Sequence, residues 1–286
     1  MTGNSTIARV TGAEKAAAFK DLLEERYGGR DAPHVIGDAV LRTLLSHRSV
    51  RAYSDRPLPE LALETMIAAA QSASTSSNLQ TWSVVAVADA TRKAALSALA
   101  GNQRAIVEAP LQLVWLADLA RLRSVCAKRE IASDGLDYFE LFLIGCIDAA
   151  LAAQNAAVAA EAMGLGVVYI GGMRDNPLEV ARLLALPKGV FAVFGMCVGY
   201  PDEARPASIK PRLPQDAVLF RETYSPDHAS GRIDDYDALM ETFYASQQMK
   251  RPAWSEHSGR RVSGASHLSG RDRLKSIVRK MGFPLK

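Results

Sequence analysis

Residues 141–163, LFLIGCIDAALAAQNAAVAAEAM, form the only long apolar run in the chain, and whether they span a membrane or lie in a core decides the fold. The run is long enough to cross a bilayer. Asp148, Gln154, Asn155 and Glu161 interrupt it, and such groups are costly in hydrocarbon. A buried helix over about 135–163, closed by Gly164, is the expectation. Outward from it, helical spacing marks 13–27 (ended by Gly28-Gly29), 37–47 after an Asp31-Ala32-Pro33 link, 59–73, 91–100 and 177–184. Segments near 232–249 and 269–281 are also helical. Residues 82–88, 111–117, 167–170 and 191–198 read as strands, and Ser72 to Asn78 as a polar loop. Four strands alternating with helices suggest a mixed α/β layer fold.

The 286 residues sit at the upper end of one domain, and a 48% hydrophobic, 23% charged composition supports a substantial core. The net charge of +3 is uneven. Residues 250–286 hold ten Lys or Arg and two acids, a net of +8, which leaves −5 for residues 1–249. No aromatic residues alternate with these charges, so a solvated basic surface is preferred over a nucleic-acid site. Cys126, Cys146 and Cys197 are scattered and odd in number, which points to a reducing, cytoplasmic setting. Residues 1–10 lack a signal-peptide core, and no membrane partner is expected.

Several chemistries lack their motifs. Gly164-Leu165-Gly166 has Tyr169 where a dinucleotide loop needs a third glycine, and it precedes a strand. No GxxxxGK[ST] or GxSxG occurs, and the histidines at 34, 47, 228, 257 and 267 lack metal-ligand spacing. A reactive centre supplied by an organic cofactor remains. His47-Arg48-Ser49-Val50-Arg51 suits one, because arginine offers a planar fork of donors to phosphate or a ring carbonyl. Taken alone, those five residues read more readily as a solvated basic turn.

Five segments together carry a resemblance. Leu45-Ser46-His47-Arg48-Ser49-Val50-Arg51 resembles the opening signature of the FMN-dependent nitroreductase superfamily. Thr75-Ser76-Ser77-Asn78-Leu79-Gln80, Gly101-Asn102-Gln103, the stretch from Gly164 to Arg174, and Lys210-Pro211-Arg212-Leu213-Pro214 are similar to segments of its oxygen-insensitive NADPH nitroreductase and flavin reductase P subgroup. Their order and spacing match over about residues 40–224. The resemblance implies an α+β, three-layer fold: a mostly antiparallel central sheet flanked by helices, with a long dimer-interface helix. It implies a nitroreductase-like FMN-binding domain over 37–286 with a C-terminal helical excursion, and residues 1–36 as a helical extension. It also implies a homodimer with FMN at the subunit interface.

The same resemblance distributes roles. His47, Arg48 and Ser49, with Lys210 and Arg212, would take the FMN phosphate and ribityl chain. Arg51 and Gln103 would face the pyrimidine end of the ring, where a donor stabilises the reduced flavin. Tyr169, Ile170, Gly171 and Gly172 would lie along the ring, and Thr75, Ser76, Ser77 and Gln80 would reach the partner subunit's FMN. The implied activity is two-electron, ping-pong hydride transfer from NADPH or NADH to nitroaromatic or quinone-type acceptors. Arg51 tunes the flavin, and no side-chain nucleophile or metal is needed. Flavin, azo-dye or chromate reduction on the same scaffold is the alternative, as is a non-enzymatic flavin- or nucleic-acid-binding protein. The chain departs from the subgroup in its first 36 residues, in Asn78 and Trp82, and after Tyr244, where Lys250 and Arg251 alone supply charge for an NADPH phosphate.

Overall fold

The computed structural model describes residues 19–28, 35, 37–225 and 231–286. Residues 13–18 of the first expected helix, Gly29 and the Asp31-Ala32-Pro33 link lie outside these. In chain order the elements begin with α1 (Lys20–Tyr27), α2 (Ala39–Leu45), α3 (Ala62–Gln71), β1 (Trp82–Val87), α4 (Ala90–Leu99) and α5 (Arg104–Glu108). Next come β2 (Leu111–Asp118), α6 (Ala120–Lys128), α7 (Phe139–Ala162), β3 (Gly166–Ile170), α8 (Pro177–Leu183) and β4 (Val190–Gly199). The described chain ends with α9 (Ile233–Ser246), α10 (Trp254–Arg261) and α11 (Leu274–Lys280). Three of these, α2, α6 and α10, bury no side chain.

By its contacts the chain forms two compact units. One comprises the described residues up to His47 with 208–263, and the other comprises 48–207 with 264–286. In the second unit the strands pair in the order β1-β2-β4-β3, every pair antiparallel. This corrects the α/β reading taken from alternation and agrees with the α+β class. Alternation records only the order of elements; strand direction depends on where each connection returns, which local periodicity does not encode.

Helices cover both faces of the sheet. Leu113, Trp115, Val167, Met196 and Val198 pack under α3 and α7. Val114, Leu116, Val168, Ile170, Ala192 and Cys197 face α4, α5 and α8. Covering both faces explains why β2 and β4 read as continuous apolar runs rather than alternating ones. Each large side chain buried this way contributes about 1.5–3 kcal/mol. Helix α7 turns an alanine face inward, with Ala149, Ala152, Ala153, Ala156, Ala157 and Ala160 fully buried. Helix α11 brings Phe283 edge-on to Phe142 at 5.1 Å, and Val278 and Met281 are buried with it. The basic C-terminal stretch is therefore only partly the solvated surface expected: its charges lie outside and its apolar positions complete a core.

The first unit has a smaller core. Tyr236, Met240 and Tyr244 of α9 are buried there, and Trp254 of α10 meets Tyr236 edge-on at 5.3 Å.

Candidate active site

Strand β3 is an edge of the sheet, and residues 48–51 run along it. Ser49 forms a parallel bridge with Val167, and the Val50 N–H donates to the Val167 carbonyl at 2.9 Å. Val50 lies against β3 only because Gly166 has no side chain: a Cβ there would sit 2.5 Å from a Val50 methyl. The Tyr53 hydroxyl, donating to the Val50 carbonyl at 2.7 Å, holds the segment from below. Val50 is thus turned inward, while Arg48 and Arg51 are exposed and Arg51 donates to the Ser49 carbonyl at 3.3 Å.

The far end of β3 runs into a short helical turn, Gly171–Arg174. A Cβ on Gly172 would meet the Ala100 carbonyl oxygen at 2.6 Å, so this glycine is required by packing inside the protein. The close contact sets the Gly171-Gly172 turn against the turn bearing Gln103. That second turn is held by Asn176, which donates to the Leu99 carbonyl at 2.7 Å, and by Ser97, which donates to the Gln103 carbonyl at 2.9 Å. Asn102 there takes a left-handed backbone conformation, φ 56°. The Gln103 side chain is exposed. Tyr169 donates to Gln154 of α7 at 3.4 Å and lies edge-on to Phe194; burial pushes its phenol well above the ordinary value, so it stays neutral.

The 75–80 loop is anchored from within. Asp148, 1% exposed on α7, accepts from the Thr75 hydroxyl at 2.6 Å, the Ser76 N–H at 3.2 Å, the Thr81 N–H at 3.0 Å and the Thr81 hydroxyl at 2.9 Å. Held at its base, the loop carries three non-glycine residues with positive φ: Ser77 at 48°, Asn78 at 55° and Gln80 at 51°. Such strain persists only where the surroundings over-determine it, and it concentrates at functional loops. Ser76, Ser77 and Gln80 are exposed, with Ser76–Asn78 forming a single 3-10 turn.

The remaining candidates belong to the first unit. Lys210 and Arg212 are exposed on either side of buried Pro211, whose carbonyl accepts from the Tyr236 hydroxyl at 2.9 Å. The Lys210 ammonium lies 5.9 Å from the Tyr244 ring centre. Both cations line a cavity of about 570 Å³ with Tyr27, Tyr244, Trp254 and His257. His47, at the end of this unit's N-terminal part, has its carbonyl engaged by Arg26. Lys250 and Arg251 are exposed beyond the end of α9.

Within the second unit, strand β3 and its flanking turns thus bring together Arg48, Ser49, Arg51, Gln103 and residues 169–172. The 75–80 loop is fastened to α7 instead. Sequence reasoning missed the anchors. Asp148 had a signal, an acid in an alanine-rich helix, but was read only as an interruption. Arg26 had none.

Comparison with known proteins identifies the family. The model of the Nitroreductase family matches residues 44–200, and that of the Nitroreductase family, C-terminal domain, matches 210–286. An FMN reductase (NADPH) of Bacillus subtilis is 36% identical over 248 residues, 85% of this chain and 97% of that protein. An oxygen-insensitive NADPH nitroreductase of Salmonella typhimurium is 37% identical over 219 residues, 76% of this chain and 88% of its own. The solved structure of B. megaterium NfrA2 superposes with a TM-score of 0.82 at 38% identity, covering 87% of this chain and all of that one. With its fold, its ordered segments and both family models in agreement, the chain belongs to the nitroreductase family.

Proposed function

We propose that this protein is an FMN-dependent NAD(P)H oxidoreductase that reduces nitroaromatic or quinone-type acceptors, two electrons at a time, in a ping-pong cycle. The observation that carries this reading is the gathering of Arg48, Ser49, Arg51, Gln103 and the Gly171-Gly172 turn along one sheet edge. The donor set fits FMN. Cations and a hydroxyl suit a phosphate and ribityl chain, and an exposed guanidinium and amide suit the ring carbonyls. Arg48, Ser49, His47, Lys210 and Arg212 are assigned to the phosphate and chain, Arg51 and Gln103 to the pyrimidine end, and residues 169–172 to the ring. Bound FMN supplies the hydride acceptance and the two-electron donation.

The side chains orient and stabilise; none needs to act as a nucleophile. Arg51 holds positive charge where negative charge grows on reduction. Arg51→Ala is expected to slow flavin reduction about 100-fold, in line with loss of one preorganised donor. Because Arg51 is exposed, its melting temperature should stay at the wild-type value. Anaerobic stopped-flow reduction at the wild-type rate, with FMN bound, would remove the role.

The outward face of α7 supports a homodimer. Phe139, Leu143, Ile147 and Leu151 recur every fourth residue and are 52%, 41%, 47% and 43% exposed. A ridge of this kind is normally covered by another helix. In the dimer, Ser76, Ser77, Gln80 and Thr75 are assigned to the partner's FMN. Residues 37–286 make up the FMN-binding part, with 1–36 as an extension to it. Lys250 and Arg251 are the candidates for an NADPH phosphate. Three free thiols agree with a cytoplasmic location.

The test is an anaerobic titration of the FMN-loaded protein with NADPH and NADH separately, followed by nitroaromatic, quinone, free-flavin and chromate acceptors. Bleaching of the flavin band by either nucleotide and its return with a nitroaromatic or quinone are expected. Colourless protein that takes up no FMN would overturn the reading.

A further inference from the structure

Helix α1 lies ahead of the span matched by the family models, and one of its side chains grips two segments assigned to the FMN phosphate. Arg26 is 7% exposed. Its guanidinium donates to the carbonyls of Leu45 at 2.9 Å, His47 at 2.8 Å and Lys210 at 3.1 Å. Its own carbonyl accepts the Arg212 N–H at 2.9 Å. A single residue therefore joins residues 45–47 to residues 210–212, through side chain and main chain together.

A buried guanidinium must have its donors satisfied, and a planar fork satisfies several at fixed angles where an ammonium does not. The choice of acceptors matters for an anion. Main-chain carbonyls present negative charge, and one directed at a phosphate would repel it. Three carbonyls that share one guanidinium have their negative ends neutralised in place. The guanidinium also adds positive charge beside Lys210 and Arg212.

We infer that Arg26 is a positioning residue for the phosphate of FMN, contributed by the N-terminal segment and acting through the main chain of His47, Lys210 and Arg212. The inference rests on the FMN reading proposed above. Arg26 need not touch the cofactor: it holds the segments whose side chains do.

The test compares FMN with riboflavin, which carries the same ring and ribityl chain but no phosphate. Each is titrated by fluorescence quenching into full-length protein stripped of flavin, for wild type, Arg26→Ala and Arg26→Lys. Arg26→Ala is expected to raise the Kd for FMN on the order of tenfold, as if one hydrogen bond from the held segments to the phosphate were lost, and to weaken riboflavin, which keeps only the ribityl chain, far less. Arg26→Lys keeps the charge and is expected to recover part of the FMN affinity.

Unchanged FMN affinity in a folded Arg26→Ala protein overturns the inference. So does an equal weakening of FMN and riboflavin, which a merely structural role would produce. If Arg26→Ala does not fold, Arg26→Lys decides by the same ratio of FMN to riboflavin affinity, and an unaltered ratio overturns the inference. Wild-type protein that binds no FMN fails the cofactor reading first, so the two failures are distinguishable.

Discussion

Asp148→Ala is expected to lower the unfolding free energy by about 3–5 kcal/mol, because it leaves several hydrogen-bond donors without an acceptor. Thr81 is fully buried, and both its N–H and its hydroxyl donate to this carboxylate. Thr75 and Ser76 lose their acceptor at the same time. Asp148→Asn keeps the volume and one acceptor oxygen and should cost less than half as much. Urea unfolding of the two variants measures the difference. Hydrogen exchange should report a second effect in Asp148→Ala, faster exchange at Ser76 and Thr81. A stability loss under 1 kcal/mol would mean the loop is held by other contacts.

The paired substitution Leu143→Glu with Ile147→Glu is expected to convert the proposed dimer into monomers. Two carboxylates placed on the apolar ridge of α7 would have to be desolvated against an apolar partner surface, at several kcal/mol each. Both positions are more than two-fifths exposed in the single chain, so the monomer's own fold should be little changed. Sedimentation velocity separates the two masses. Bound FMN should be lost along with the dimer, since the 75–80 loop is assigned to the partner's cofactor. A variant that sediments with the wild-type mass would place the interface elsewhere.

Much of the fold was legible in the sequence for a simple reason. Apolar periodicity and glycine stops are local, so α3, α4, α7, α8, α9 and all four strands could be read with ends off by a few residues. Helices α6 and α10 were not read, although α2, which likewise buries no side chain, was. Among the proposed site residues, Arg48, Ser49 and Arg51 were legible as donors suited to an anionic, planar ligand, whereas Gln103, Lys210 and Arg212 were picked out by the family resemblance. Gly172 was legible as a position needing no Cβ, and the structure adds an internal reason, the Ala100 carbonyl that a Cβ would meet.

The sequence by itself determined that residues 141–162 are helical and that the four strands of the described residues lie where apolar runs placed them. Only the tertiary structure decided strand direction, the closure of 48–51 onto β3, and the anchoring of that helix's Asp148 to a loop 67 to 73 residues away. It also decided that Arg26 reaches a carbonyl 184 residues away. The division has a physical cause. Helical and strand periods are set by neighbours within a turn or two, whereas the partner of a buried polar group is whatever chain closure brings beside it.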